Sequence, residues 1–194
     1  MSALNNSSEE SRWVKECLDG QAGSFRFIVE RYERLIRSMI YRLVDDEHEV
    51  EELAQQTFIA AYQALGSFSG QSKLSTWLAQ IALNKARDYL RGSTQRFIHQ
   101  SFDELDGGAD SVMEHDQDGG DELISLQQTG DHIQRALSLL KPEARELITF
   151  KYILGYDYET VAEIIGCTSG AAKVRSIRAR GLLKKHLIKM GITP

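Results

Sequence analysis

Asp157-Tyr-Glu-Thr-Val-Ala-Glu-Ile-Ile-Gly166, then Cys167-Thr168, then Ser169 to Lys189 is the stretch whose reading decides the fold. Asp157 stands where a helix N-cap belongs, and Gly166 stands just past the end of the same short helix. Thr168 caps a second, longer helix from about Ser169 to Lys189. Two helices joined by a tight glycine-containing turn predict a helix-turn-helix. In the second helix Ala172, Ser176, Ala179, Leu183, Leu187 and Met190 recur at steps of three and four, which predicts a core stripe. Lys173, Ile177, Arg180 and Lys184 form the neighbouring stripe, with Val174, Arg178 and Lys185 beside it. From Cys167 to Pro194 there are seven Lys or Arg and no Asp or Glu. A cationic helix free of acids suits a major groove and its phosphates. A plain solvated surface helix usually mixes both signs.

Outward from this motif the charge is polarised along the chain. The net charge of −5 over 194 residues hides −2 for residues 1–92, −8 for 93–130 and +5 for 131–194. The 93–130 stretch also loses hydrophobic periodicity and is glycine-rich around Asp103–Asp110 and Asp116–Glu122, which predicts a flexible acidic linker. Elsewhere the apolar residues keep a helical step and β-branched alternation is scarce. The expectation is an all-α chain: two small helical domains, 1–92 and 131–194, joined by the 93–130 linker.

The first domain divides into helices by its breakers. Trp13 to Leu18 is a short helix ended by Asp19-Gly20. Ala22 to about Val44 is a helix with an apolar stripe through Ile28, Tyr32, Ile36 and Met39. Asp45-Asp46 ends it and caps the next, residues 47–65. There Val50, Leu53, Thr57, Ala61 and Ala64 share one face, and Glu51, Gln55, Phe58 and Tyr62 form a second line. That line has two readings: it widens the core, or it docks another helix. Gly66 to Ser72 is a loop holding Phe68, followed by a helix from about Leu74 to Arg91. In the second domain Pro142 starts a helix, and Gly155 closes it before the opening motif.

Several chemistries find no residues to carry them. Cys17 and Cys167 are isolated and fit small buried hydrophobes in a reducing compartment. The five His are scattered, so no metal or other cofactor is expected. No phosphate-binding glycine loop, HExxH or nucleophile elbow occurs, so the chain does not read as an enzyme. No apolar run reaches membrane-spanning length and residues 1–11 form no signal-type apolar core, which predicts a cytoplasmic protein without membrane insertion.

In this order the segments resemble an extracytoplasmic-function sigma factor, the small two-domain class of the sigma-70 family. The resemblance rests on Glu51-Glu-Leu-Ala-Gln-Gln-Thr-Phe58, on Phe68-Ser-Gly70, on Ser75-Thr-Trp-Leu-Ala-Gln-Ile-Ala-Leu-Asn84 with Asp88-Tyr-Leu-Arg91, and on Leu140-Lys-Pro-Glu-Ala-Arg145 and Lys173-Val-Arg-Ser-Ile-Arg-Ala-Arg180. It implies that residues 1–92 are region two, which binds core polymerase and recognises and melts the −10 element, and that 131–194 are region four, which reads the −35 element.

The implied partners are core RNA polymerase, through its β′ clamp and β subunits, promoter DNA as duplex and as single strand, and an anti-sigma factor. Glu51, Glu52, Leu53, Gln55, Gln56, Phe58 and Tyr62 would meet the β′ clamp. Phe68, Ser69, Gln71, Lys73, Trp77, Asn84 and Arg87 would hold the −10 strand, where a flipped base needs a loop of adaptable hydrogen bonds. Lys173, Val174, Arg175, Ile177 and Arg178 would enter the −35 major groove, Ile177 against a thymine methyl and Arg178 on a purine edge or phosphate.

Departures from the family pattern are Glu52 for Asp, Gln56 for Glu, Ala171-Ala172 for Thr-Val, and Ser176 at an aliphatic inward position. Ser176 either loosens the helix or bonds its hydroxyl to an i−4 carbonyl. The acidic linker either threads the basic interior of the polymerase or is a solvated tether. The rival reading is a stand-alone helix-turn-helix regulator, which would need a dimer seam and a sensor domain; no heptad seam or ligand motif is present.

Overall fold

The computed structural model describes the backbone of residues 2–103 and 121–192, and the side chains of 8–93 and 130–192. Among the described residues eight α-helices carry the fold: α1 Ser2–Leu18, α2 Phe25–Leu43, α3 Glu47–Ala64, α4 Leu74–Asp103, α5 Asp121–Ser138, α6 Pro142–Ile148, α7 Tyr158–Ile165 and α8 Ser169–Lys189. There is no strand among the described residues.

α2 is the central rod of the first half. Ile28, Ile36, Met39 and Ile40 are wholly buried on one side of it, against α3 and α4. Each such side chain contributes about 1.5–3 kcal/mol through the water it no longer orders. Asp46 caps α3 by accepting from the His48 amide at 3.0 Å, as its place after the α2 break predicts. α1 is fastened to α2 by polar ties. Tyr32 Oη donates to Glu10 at 2.6 Å and Arg31 donates to Glu9 at 2.9 Å. The Arg31 guanidinium also lies over the Trp13 ring at 4.5 Å. Burial, with Glu10 beside it, pushes the Tyr32 phenol far above its ordinary range.

Three boundaries differ from the sequence reading. The N-terminal helix starts at Ser2 rather than Trp13. α4 runs on to Asp103, past the expected end at Arg91, and α5 starts at Asp121. The expected 93–130 linker is therefore helical at both ends, and its middle, 104–120, lies outside the described residues. The helix after Pro142 changes at Thr149–Ile153 to one π-helical turn. There Leu154 N–H reaches Thr149 O at 2.9 Å and Tyr156 N–H reaches Phe150 O at 3.0 Å.

The helix-turn-helix forms as its caps dictate. Asp157 accepts from the Thr160 amide at 2.7 Å and Thr168 Oγ1 accepts from the Ala171 amide at 3.2 Å. Gly166 takes a left-handed conformation, φ 82°, so that its amide and that of Cys167 both donate to Ala162 O. A side chain at that φ is costly, which is why glycine serves there.

The two halves are packed on each other. α7 lies against α4, and α6 with the π turn lies against α2. Sequence periodicity carried no sign of this contact.

Candidate nucleic-acid and partner interfaces

α8 presents the cleanest surface. Ala172, Ser176 and Ala179 are buried and Lys173, Val174, Arg175, Ile177 and Arg178 are all exposed. The inward stripe thus turns the five expected groove-reading side chains outward together. Val174 is 50% and Ile177 49% exposed. Two bare aliphatic side chains among cations on a helix face suit thymine methyls flanked by phosphates. Ser176 departs from one expectation. Its buried Oγ has no hydrogen-bond partner, so the i−4 back-bond is not made. An unpaired buried hydroxyl costs roughly 1–3 kcal/mol against an aliphatic residue of that size.

The α7 N-terminus that props this helix carries its own charge logic. The Asp157 carboxyl is held below the usual range, first by the hydrogen bonds of Thr160 and then by the charges of Lys73 and Lys151. Lys73 belongs to the loop before α4, in the other half of the chain.

The expected clamp-facing line on α3 divides. Glu51, Glu52, Gln55 and Tyr62 are exposed and Gln56 is half-buried. Gln55 and Gln56 donate to Glu51 and Glu52 one turn back, at 3.4 and 2.9 Å, so amides and acids form paired rows. Leu53 and Phe58 instead lie in the core, 4% and 8% exposed. The apolar residue this face offers to solvent is Ile59, 58% exposed, which the sequence reading omitted. Its spacing from Gln55 and Tyr62 is the i, i+4, i+7 step of one helix face, and that was the available signal. Tyr62 sits edge-on to Phe25 at 5.1 Å, so its ring is oriented while its outer side stays open.

The expected −10 set is spread over a loop and α4. Ser69, Gln71, Lys73 and Asn84 are exposed. Phe68 is half-buried on Trp77, with ring centroids 5.2 Å apart, so the two aromatics brace the loop on the helix. Arg87 differs from the rest. Its Nε and Nη2 each lie 2.8 Å from one oxygen of the Glu146 carboxylate on α6, a two-pronged pair. Nη2 also points at Ile165 O, 3.5 Å away. The Glu146 hydrogen bonds hold the guanidinium charged against partial burial. Nearby, Gln80 of α4 donates to Glu163 O of α7 at 3.0 Å.

A further groove runs between α6 and α8. Leu140, Leu147, Ala179 and Leu182 line it, with Arg175, Arg178 and His186 at the rim. Leu139, beside it, is 57% exposed. No group of three or more His, Cys, Asp or Glu able to hold a metal occurs among the described residues, and no described helix is long and apolar enough to cross a membrane.

Residues 28–96 match the family model for sigma-70 region 2, and residues 131–183 match that for sigma-70 region 4. The ECF RNA polymerase sigma-E factor of Escherichia coli is 30% identical over 86% of this chain and 88% of its own length. The RNA polymerase sigma-H factor of Pseudomonas aeruginosa is 27% identical over 92% of this chain and 94% of its own. Among solved structures, the sigma factor RpoE in complex with the anti-sigma factor NepR, from Bartonella quintana, has TM-score 0.65 and 28% identity, covering 84% of this chain and 96% of that one. CnrH, in complex with the cytosolic domain of CnrY, shares the fold at TM-score 0.68 and 22% identity, over 93% of this chain and 98% of its own.

Proposed function

Because the chain belongs to the extracytoplasmic-function class of the sigma-70 family, we propose that it binds core RNA polymerase and places its two halves on the two elements of a promoter. A sigma factor is an initiation factor and not an enzyme, so the chemistry to be explained is recognition and strand capture. The exposed, acid-free face of α8 is the observation that carries this reading furthest.

Residues 1–92 act as region two and 131–194 as region four. Lys173, Val174, Arg175, Ile177 and Arg178 enter the major groove of the −35 element. Lys and Arg there neutralise phosphates and Arg178 reaches a base edge or phosphate. The loop with Phe68, Ser69, Gln71 and Lys73 captures an unstacked −10 base, while Trp77, Asn84 and Arg87 line the adjacent strand. The exposed acids and amides of α3, with Tyr62 and Ile59, dock on the β′ clamp. Leu53 and Phe58 hold that face in shape from beneath. The apolar groove beside Leu139 and Leu182 offers a docking surface to the β subunit. An anti-sigma partner covers some of these faces, as the RpoE–NepR complex of a relative supports.

The test is co-elution with core polymerase, followed by a gel shift on duplex promoter DNA with and without that core. A sigma factor joins the core and shifts DNA strongly only in its company. Tight shift of duplex DNA by the chain alone, with no core association, would make it a stand-alone regulator instead.

A further inference from the structure

The first turns of α8 combine two features that attraction between cations and phosphates leaves unexplained. The opening turn is slim: Ser169, Gly170, Ala171 and Ala172 begin the helix. Nothing lies within 4 Å of the place a Cβ on Gly170 would take. The next two turns carry Val174 and Ile177, both about half exposed. Lys173, Arg175 and Arg178 stand around them in solvent. The buried Ala172, Ser176 and Ala179 hold this face outward.

The two features fit one another. A turn without bulky side chains lets the backbone approach a ligand closely. A side chain as short as valine reaches a base edge only on such an approach. Neither Val174 nor Ile177 carries a donor or an acceptor, so each gains only by covering apolar surface. The major groove offers one apolar group, the C5-methyl of thymine. Cytosine shows its amine there, and gains the same methyl in the same place only when C5 is methylated. Residues three apart on a helix hold their Cβ atoms about 5–6 Å apart. Successive base pairs are about 3.4 Å apart along the duplex. The pair therefore suits two neighbouring base pairs better than one.

We propose that Val174 and Ile177 read the C5-methyl groups of two neighbouring pyrimidines, and not the bases that carry them. Thymine and 5-methylcytosine are equivalent to this pair, and uracil and unmethylated cytosine are both disfavoured. The proposal rests on the reading of α8 as the −35 helix and names what that helix selects. Lys173, Arg175 and Arg178 supply attraction to phosphates and base edges. The aliphatic pair adds a choice that hydrogen bonds do not make. A methyl group on cytosine at either position raises occupancy of a promoter without a change of sequence.

The experiment uses the full chain with core polymerase on a promoter from which the two initiate. That promoter is made in four forms differing only in the −35 element. Its thymines are kept, replaced by deoxyuridine, replaced by cytosine opposite guanine, or replaced by 5-methylcytosine opposite guanine. The half-saturating concentration of the chain–core complex is read from run-off transcription. Deoxyuridine is expected to weaken wild type roughly fourfold for each methyl read and roughly 15-fold for two. Single deoxyuridines, placed one at a time, are expected to confine that loss to two adjacent base pairs. The 5-methylcytosine form is expected to bind tighter than the cytosine form by a similar factor. The double substitution Val174→Ser with Ile177→Ser, checked for helix by circular dichroism, is expected to treat thymine and deoxyuridine alike. Ile188→Ser alters a bare aliphatic at the far end of α8 and is expected to keep the wild-type ratio. Equal wild-type affinity for thymine and deoxyuridine, or a full deoxyuridine loss in the folded double variant, would overturn the proposal. If the double variant loses helix, Val174→Thr decides, since it trades one methyl for a hydroxyl at equal size. A reduced deoxyuridine loss in it supports the pair, and an unchanged one overturns it. Should the chain direct no initiation with core, the sigma reading falls. The same thymine-to-deoxyuridine comparison on duplexes enriched by the chain from a random pool then decides the pair.

Discussion

The face of α8 and the faces of α3 and α4 are all expected to meet partners, yet the free chain treats them differently. On α8 all five expected side chains stand in solvent, and the helix is acid-free. On α3 and α4 the expected residues divide among solvent, core and the other half of the molecule: Tyr62 outside, Phe58 inside, Arg87 on Glu146. The difference teaches that exposure is legible from sequence spacing alone where one helix faces water along its length. It is less so where a helix is packed on two sides. α8 stands open to solvent, and part of α4 is covered by the other half of the chain.

Substitutions sharpen or break that contrast, and the largest effect is expected in the core. Phe58→Ala removes a ring that is 8% exposed and should cost about 3–5 kcal/mol of region-two stability. Chemical denaturation followed by circular dichroism measures it; a change near zero would return Phe58 to the docking surface. Next is Arg178→Ala, expected to weaken −35-dependent initiation by about 1–3 kcal/mol of discrimination, roughly 5- to 150-fold, with core binding intact. Equal loss of both activities would remove the distinction between the two halves. Thr168→Ala deletes the α8 cap bond and should cost about 1 kcal/mol by thermal melting, with a matching loss of −35 binding. The smallest effect on stability belongs to Ile59→Ala, within about 0.5 kcal/mol because the side chain is exposed. Its expected mark is a several-fold loss of core affinity, and an unchanged affinity would take Ile59 out of the docking face.

The legibility of the chain follows the range of each interaction. Asp157, Gly166 and Thr168 announced the helix-turn-helix because a cap bonds within three residues of itself. The buried stripe of α2 was legible because period 3.6 records a single continuous core. α4 past Arg91 was not, since a helix without a regular apolar stripe leaves no period to find. Phe58 was left with two readings because periodicity gives the spacing of a face but not whether it turns inward; in the structure Phe58 lies in the core and its neighbour Ile59 in solvent. Arg145 and Glu146 lay within a recognised motif, but their bonds close over 59 residues and more. Nothing local marks an arginine as the cap of a distant helix.

The central claim is that this chain directs core RNA polymerase to promoters, and multi-template transcription tests it most directly. Core enzyme is supplied with fragmented genomic DNA, with and without the purified chain, and transcript 5′ ends are sequenced. The account expects a set of start sites that appears only with the chain, shares spaced upstream elements, and fades with Arg178→Ala. Identical start sites in both reactions, with folded chain present in excess over core, would contradict it.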